Sequence, residues 1–183
     1  MANSLSGLLD VHDLLGRTQI APGMHIADFG AGQTGHLVFP AAQIIGEHGI
    51  VYAVDILPDV LAEIKKRAAA NSCLQIKPVW ADIEMENGVS IPKDSLDVVF
   101  IVNVLHGAKK MNIVLAEADR ILKSKGRLVI VDWVKKVGAL GPEQNDQLDF
   151  NVIISWARER AYAVQEDFSV SEYSRGLILF KHD

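Results

Sequence analysis

Short apolar runs alternate with longer stretches of helical periodicity along most of the chain. Apolar runs of strand length predict five strands, at residues 24–29, 50–55, 74–79, 96–102 and 127–134. Between them, apolar residues recur every three or four positions and predict helices at 35–46, 58–68 and 110–123. This alternation is typical of a parallel sheet whose strands are joined by crossover helices.

Both ends of the chain depart from this alternation. Residues 5–17 carry leucines at helical spacing and predict a leading helix that docks on the sheet. A helix predicted at 143–160 is followed by strand-like segments at 166–173 and 177–182, which only residues 174–176 separate. Because that separation is too short for a crossover helix, the last two strands are expected to form an antiparallel hairpin. The pattern therefore predicts an α/β fold that is mostly parallel.

Length and composition favour one domain. The chain has 183 residues, of which 49% are hydrophobic and 22% charged, enough for one substantial core. We divide it into an N-terminal helical segment, 1–23, and a core, 24–183. The net charge of −5 lacks the basic footprint of a nucleic-acid-binding protein, so nucleic acid is disfavoured as a partner. The single cysteine allows no internal disulfide, which fits a reducing compartment.

No targeting or membrane segment is predicted. The first ten residues lack a basic region and a long apolar stretch, and Asp10 and Asp13 follow at once. Nowhere do roughly 18 apolar residues run together, as a spanning helix would need. We expect a cytoplasmic protein that does not associate with a membrane.

A glycine-rich turn follows the first predicted strand. Gly30, Gly32 and Gly35 permit positive φ and expose backbone N–H groups to a ligand near the start of a helix. The spacing also fits the dinucleotide fingerprint, so an NAD-dependent oxidoreductase stays open as an alternative. Asp28, at the end of the strand, favours a ligand other than a dinucleotide. Its carboxylate would repel a pyrophosphate but suits a ligand that carries an ammonium group.

The turn resembles motif I of the class I S-adenosylmethionine-dependent methyltransferases, whose acidic-x-Gly-x-Gly pattern is matched by Asp28, Gly30 and Gly32. The similarity covers residues 24–133 closely and the remainder by topology. It is strongest to the small-molecule methyltransferases of quinone and sterol biosynthesis, through the segments 95–99, 104–106 and 122–128. The resemblance implies a Rossmann-like, doubly wound sheet of seven strands, with S-adenosyl-L-methionine as the cofactor and a small molecule as the methyl acceptor.

The candidate cofactor site is built from residues that follow the strands, because ligands of open α/β sheets bind beyond the carboxyl ends of the strands. Asp55 can accept hydrogen bonds from two ribose hydroxyls or merely cap the next helix. Thr34 stands where the family often has glycine, and either caps a helix or binds the cofactor carboxylate. The resemblance implies that the cofactor-binding residues are Asp28, Gly30, Ala31, Gly32, Thr34, Gly35, Asp55, Ile56, Asp82, Ile83, Asn103 and Val104.

Methyl transfer requires the nucleophile and the methyl group to be held in line, and no universal catalytic residue. If the acceptor must lose a proton, His106 or Asp132 can serve as the base, and we name His106 as the catalytic candidate. For Asp132, an ion pair with Lys135 or Lys136 is the alternative. Too few acidic residues converge after the fourth strand for a metal site, so no metal is predicted.

The acceptor cannot be named from the sequence. The loops that could cover a substrate are short, so the cleft is expected to be open unless a partner subunit, as in a homodimer, covers it. The acidic charge balance and the loop 104–106 favour a small molecule. A non-catalytic subunit that uses the methyltransferase fold as a scaffold is a further alternative.

Overall fold

A single sheet of seven strands organises the computed structural model, which describes residues 9–136 and 147–183. The strand order is β3-β2-β1-β4-β5-β7-β6. The first five strands pair in parallel, whereas β7 is antiparallel to both β5 and β6. The predicted fold class is confirmed. The strands are β1 (His25–Phe29), β2 (Ile50–Asp55), β3 (Ile76–Trp80), β4 (Leu96–Val102), β5 (Leu122–Trp133), β6 (Tyr162–Ser169) and β7 (Ser174–Lys181).

Five α-helices connect and cover the strands in the described part of the chain. They are α1 (Val11–Arg17), α2 (Val38–Ile45), α3 (Pro58–Ala70), α4 (Met111–Ile121) and α5 (Phe150–Glu159), with a 3-10 turn at Leu105–Gly107. None of the helices within residues 9–136 and 147–183 is long and apolar enough to cross a membrane. Residues 5–8 of the predicted leading helix and 143–146 of the predicted last helix lie outside the described residues.

Alternate residues of the central strand β4 bury their side chains on opposite faces of the sheet. Val99 and Ile101 join the apolar cluster that contains α4 and α5, whereas Val98 and Phe100 join the cluster of α1, α2 and α3. All four side chains are fully buried. The strand is therefore covered on both faces, which is why its sequence is an unbroken apolar run. This packing gives the doubly wound arrangement and leaves the carboxyl ends of the strands as an open edge.

Several predicted boundaries shift: the helix predicted from residue 143 begins at Phe150, and the strand predicted from residue 166 begins at Tyr162. Two further shifts show how the local backbone differs from the periodicity. The helix predicted from residue 35 begins at Val38, because Gly35 adopts a φ of +54° that no helix allows. The strand predicted from residue 127 begins at Leu122, directly after α4, and Leu122 pairs with Leu96 of β4. The helix was predicted to run to residue 123, whereas α4 ends at Ile121 and the strand follows it directly.

The turn predicted at residues 174–176 is wrong. Those residues lie inside β7, and the hairpin turns at 170–173 instead. Gly176 resembles a turn residue in the sequence, but it lies under the ring of Phe168 across the hairpin, where a Cβ would come within 2.3 Å of the ring. A glycine within a strand often marks such a close approach. The antiparallel pairing itself is as predicted.

Alanine at Gly176 is expected to destabilise the protein by about 1–3 kcal/mol, because the added methyl group must displace the Phe168 ring. Urea unfolding followed by circular dichroism measures the change. Gly16→Ala in α1 is the matched control, since nothing lies within 4 Å of a Cβ there, and it should be neutral or stabilising. Equal stability of Gly176→Ala and the wild type would contradict the ring contact.

Candidate functional site

The glycine turn after β1 is tied to the neighbouring strand by its backbone. The amides of Gly30 and Ala31 both donate to the carbonyl of Val54, over 2.8 and 3.1 Å. The amide of Gly32 donates to the Asp55 carboxylate over 3.1 Å. Gly30 and Gly32 have φ values of +80° and +64°. The turn is therefore held in a left-handed conformation against β2. The expectation that the N–H groups of Gly30, Gly32 and Gly35 face a ligand is wrong, because each donates a hydrogen bond within the protein.

Side chains of α2 and α3 contact the last residues of the glycine turn, Thr34 and Gly35. Arg67 of α3 donates to the carbonyl of Thr34 and places its guanidinium carbon 4.2 Å from the centre of the Phe39 ring. A Cβ on Gly35 would lie 2.9 Å from that ring, so close packing requires glycine there. Gly35 lines neither cavity described below. Its direct role in cofactor binding stays a prediction.

Two adjoining cavities lie over the carboxyl ends of the parallel strands. The first cavity, of about 360 Å³, is lined by six of the predicted residues besides Gly30: Val104, Asp55, Ile56, Asp82, Ile83 and Asn103. The second cavity, of about 650 Å³, is lined by Asp28, Gly30, Ala31, Gly32, Thr34 and Asn103. Gly30, Asn103 and His106 line both. The structure thus brings eleven of the twelve predicted cofactor-binding residues to one continuous cleft.

The hydrogen bonds of Asp55 bear on its predicted role at the start of the next helix, whereas its binding of ribose hydroxyls stays a prediction. One carboxylate oxygen accepts from the amide of Gly32, and the other accepts from the amide of Leu57 over 3.0 Å. Leu57 is the N-cap of α3 and makes no side-chain capping bond itself. Asp55 consequently fixes both the glycine turn and the entry to α3. Since a carboxylate can accept about four hydrogen bonds, the group keeps capacity for a ligand.

The second cavity has an apolar wall to which the start of the chain contributes. Leu9, two residues before α1, and Val11, the first residue of α1, line it together with Leu37, Val131 and Trp133. The expectation that the leading helix only docks on the sheet is therefore incomplete. Thr34 also lines the cavity and is not the cap of α2, because Leu37 occupies the N-cap position and no side chain caps it.

Asp28 is buried at the bottom of the second cavity. Its exposed fraction is 3%, and no hydrogen bond to its carboxyl group comes from the residues that the structure describes. Burial, together with repulsion from Asp55, raises the pKa of Asp28 to about 7. A carboxyl group in this state is poised to ionise when a cationic ligand arrives.

The pKa of Asp28 predicts a pH-dependent affinity for ligands that carry an ammonium group. Raising the pH from about 5.5 to 7 increases the ionised fraction of Asp28, so the affinity for S-adenosylhomocysteine should rise on the order of tenfold. The ammonium group of an amino acid stays largely protonated over that range. Isothermal titration at several pH values measures the slope. The variant Asp28→Asn removes this carboxyl group but keeps His36 and His106, which line the same cavity. If the affinity of that variant still rises with pH as steeply as in the wild type, the pH dependence does not come from Asp28.

His106 and Asp132 form a hydrogen-bonded pair between the two cavities. His106 Nδ1 lies 2.7 Å from one oxygen of the fully buried Asp132, and that oxygen also accepts from the Trp133 amide over 2.8 Å. The second oxygen accepts from the amide of His106 over 3.1 Å. Asp132 therefore binds His106 rather than Lys135, which pairs with Glu172. His106 follows β4 and Asp132 is near the end of the adjacent β5, and these positions were the one signal for this pair in the sequence.

Comparison with known proteins identifies the family to which this cleft belongs. The profile of a methyltransferase domain family matches residues 20–167. The chain belongs to this methyltransferase family. The class I S-adenosylmethionine-dependent methyltransferase that the motifs predict is thereby confirmed, and S-adenosylmethionine is the cofactor of that class. The NAD-dependent alternative receives no support from these matches.

Similar proteins carry methyltransferase names. The ubiquinone/menaquinone biosynthesis C-methyltransferase UbiE of Teredinibacter turnerae is 27% identical over 135 residues, which cover 73% of this chain and 53% of that protein. The arsenite methyltransferase of Halobacterium salinarum is 28% identical over 116 residues, covering 63% and 29%. A SAM-dependent methyltransferase structure from Aquifex aeolicus shares the fold, with a TM-score of 0.84 and 20% identity over 97% and 93% of the chains. This chain spans about half the length of the UbiE relatives it matches.

Proposed function

We propose that this protein binds S-adenosylmethionine across the two cavities and transfers its methyl group to a small-molecule acceptor. The observation that carries the proposal is the placement of three carboxylates around one cleft: Asp28, Asp55 and Asp82 line the adjoining cavities at the carboxyl ends of three neighbouring strands. This set matches a ligand that has an ammonium group, ribose hydroxyls and an adenine amine. When bound, the cofactor supplies a methyl group on a positively charged sulfur.

The residues present fit the two halves of this cofactor. Asp55, Ile56, Asp82 and Ile83 line the first cavity, where a carboxylate can accept from ribose hydroxyls and the isoleucines can pack on a purine. The second cavity offers the ammonium group a buried acid, Asp28, to which no described residue donates a hydrogen bond. The bare backbone of the glycine turn leaves room for the methionine portion between them.

His106 is placed to accept a proton from the acceptor. Because Asp132 accepts a hydrogen bond from Nδ1, the proton of a neutral His106 ring is held on Nδ1 and Nε2 keeps its lone pair. His106 lines both cavities, so it lies where their contents meet. The chain's contributions are then to align the acceptor with the methyl group, exclude water and take up one proton.

Isothermal titration with S-adenosylhomocysteine tests cofactor binding, with NADH as the control ligand. We expect micromolar binding to the wild type and about 10–100-fold weaker binding to Asp55→Ala, since hydrogen bonds to a charged group are lost. Asp59→Asn removes an exposed acid from the first turn of α3 and should bind like the wild type. No binding to the folded wild type would overturn the proposal, and NADH binding would favour the oxidoreductase.

A small-molecule acceptor agrees with the names of the relatives, which point to quinone biosynthesis and to arsenite. Cofactor binding without turnover of any acceptor would instead favour the scaffold alternative. The cytoplasmic location, the homodimer and the absence of a nucleic-acid partner stay predictions.

A further inference from the structure

We infer that Glu84 is a positioning residue, whose carboxylate holds the turn that carries His106 against the segment 81–91, which follows β3. The inference rests on the proposed function, because it links the adenosine half of a bound cofactor to the residue that faces the methyl acceptor. Three features lead to it: a hydrogen bond between two segments that line the first cavity, the sequence at the start of α4, and a separate set of contacts that fixes the segment 81–91 to α4.

Glu84 joins two segments that line the first cavity. One is the segment 81–91, to which Glu84 belongs, and the other is the loop after β4, which contributes five of residues 103–108 to the lining. An oxygen of the Glu84 carboxylate accepts a hydrogen bond from the amide of Lys110 over 2.7 Å. Lys110 follows His106 by four residues in the chain. This hydrogen bond therefore ties the loop that carries the histidine to the segment on the other side of the cavity.

The start of α4 has no acid of its own. Lys110 is the N-cap residue of α4, its side chain makes no capping hydrogen bond, and the first turn of the helix contains no acidic residue. A carboxylate near a helix N-terminus is stabilising, because the unpaired N–H groups there carry partial positive charge. Glu84 supplies that carboxylate from a different segment. The position of the start of α4, and of the 3-10 turn that leads into it, therefore depends on Glu84.

The later part of the segment 81–91 is fixed to α4 by other side chains. Glu117 of α4, which is only 4% exposed, accepts from the amides of Asn87 and Val89 over 2.8 and 3.3 Å. Arg120 of the same helix pairs with Glu117 and donates to the carbonyl of Val89 over 2.8 Å. Because these contacts do not involve the residue at the cavity, its substitution should leave both the segment and the helix folded.

A ligand in the first cavity acts on this link through Asp82. One carboxylate oxygen of Asp82 accepts from the amide of Glu84 over 2.9 Å, and both residues line the cavity. A group that binds Asp82 from the cavity therefore restrains the backbone that carries Glu84. Binding energy from a part of a substrate that does not react can be used to orient the groups that do. We therefore expect the adenosine half of the cofactor to hold the turn of His106 in place through Asp82 and Glu84.

Amide hydrogen exchange, measured for single residues by NMR, tests the link without a methyl acceptor. Two amides report on it: that of Lys110, which donates to Glu84, and that of His106, which donates to Asp132. In ligand-free Glu84→Ala both should exchange at least about tenfold faster than in the wild type, because a hydrogen bond to a charged group is lost. Glu84→Gln keeps an acceptor oxygen at the same reach, so both amides should stay within about threefold of the wild type.

Two controls separate this link from a general loss of stability. Glu86→Ala removes an exposed acid from the same segment and should exchange like the wild type. The amide of Val51, which donates to the carbonyl of Gln75 over 3.0 Å, reports on the sheet and should not change in any variant. Faster exchange at Lys110 alone would overturn the inference, because Glu84 would then only cap α4. Unchanged exchange at both reporting amides, or equal acceleration in Glu84→Gln, would also overturn it.

Saturation with S-adenosylhomocysteine tests whether the cofactor acts through Glu84. The ligand should slow exchange of the His106 amide at least about tenfold in the wild type and in Glu84→Gln, but less than about threefold in Glu84→Ala. Equal slowing in all three proteins would overturn the inference, because the cofactor would then hold the turn without Glu84. Failure of S-adenosylhomocysteine to bind the wild type would overturn the proposed function instead, whereas the ligand-free exchange rates show independently whether Glu84 holds the turn.

Discussion

Gly30→Ala is expected to abolish detectable binding of S-adenosylhomocysteine in isothermal titration, while the protein still folds. A Cβ on Gly30 would lie 2.6 Å from a methyl group of Val104, and the residue has a φ of +80°. The side chain of the introduced alanine must therefore push the glycine turn away from the loop after β4. Because Gly30 lines both cavities, that displacement closes the cleft where the two halves of the cofactor meet.

Gly32→Ala and Val104→Ala separate the clash from the backbone strain. Gly32 has a similar φ of +64°, but the nearest heavy atom to a Cβ there is 3.9 Å away. Its alanine variant should lose folding stability by the roughly 1–2 kcal/mol that a left-handed alanine costs, and its binding of S-adenosylhomocysteine should remain measurable. Val104→Ala combined with Gly30→Ala should recover part of the binding. Wild-type affinity in Gly30→Ala alone would show that the turn is not packed against this loop.

The parts of the site that could be predicted are those that depend only on the parallel direction of the strands. In a parallel sheet, the carboxyl ends of all strands reach the same edge, so Asp28, Asp55 and Asp82 could be placed together without knowledge of any side-chain contact. The structure brings them to one cleft. The central strands of the sheet could also be predicted, because strands that are buried on both faces have apolar runs that stand out in the sequence.

The parts that could not be predicted depend on contacts between distant residues. Gly176 has the composition of a turn, yet it is a strand residue because Phe168 covers it. Leu9 and Val11 show the same helical spacing whether α1 only docks or also lines a cavity. The hydrogen bond between His106 and Asp132 joins the 3-10 turn after β4 to the end of β5, and spacing in the sequence does not distinguish it from an ion pair of Asp132 with a nearby lysine.

Asp132→Asn is expected to lower turnover by about 100-fold or more and leave S-adenosylhomocysteine binding within about threefold of the wild type. Asp132 accepts three hydrogen bonds, from both the ring and the amide of His106 and from the amide of Trp133. An asparagine has one acceptor oxygen and one NH₂ group in its place. If the NH₂ group faces the ring, it donates to Nδ1 and moves the ring proton to Nε2, so the base is lost.

The opposite orientation of the asparagine fails for a different reason. Its NH₂ group then faces the amide of His106, so two donors meet and the 3-10 turn that carries the histidine is displaced. Asp97→Asn is the matched control, because that carboxylate bonds His25 and Lys123 at the other end of β4 and should leave turnover intact. Thermal unfolding of both variants checks that each is folded.

The double variant His106→Gln/Asp132→Asn decides whether the two residues act as one unit. If Asp132 contributes to turnover only by orienting His106, removing both should cost no more than removing His106 alone, because the base is already absent. Losses that multiply would mean that Asp132 acts on the acceptor independently, which its complete burial behind His106 argues against. From the geometry of this pair, we therefore expect the double variant to lose no more turnover than His106→Gln alone. The affinity for S-adenosylhomocysteine should be preserved in all three variants.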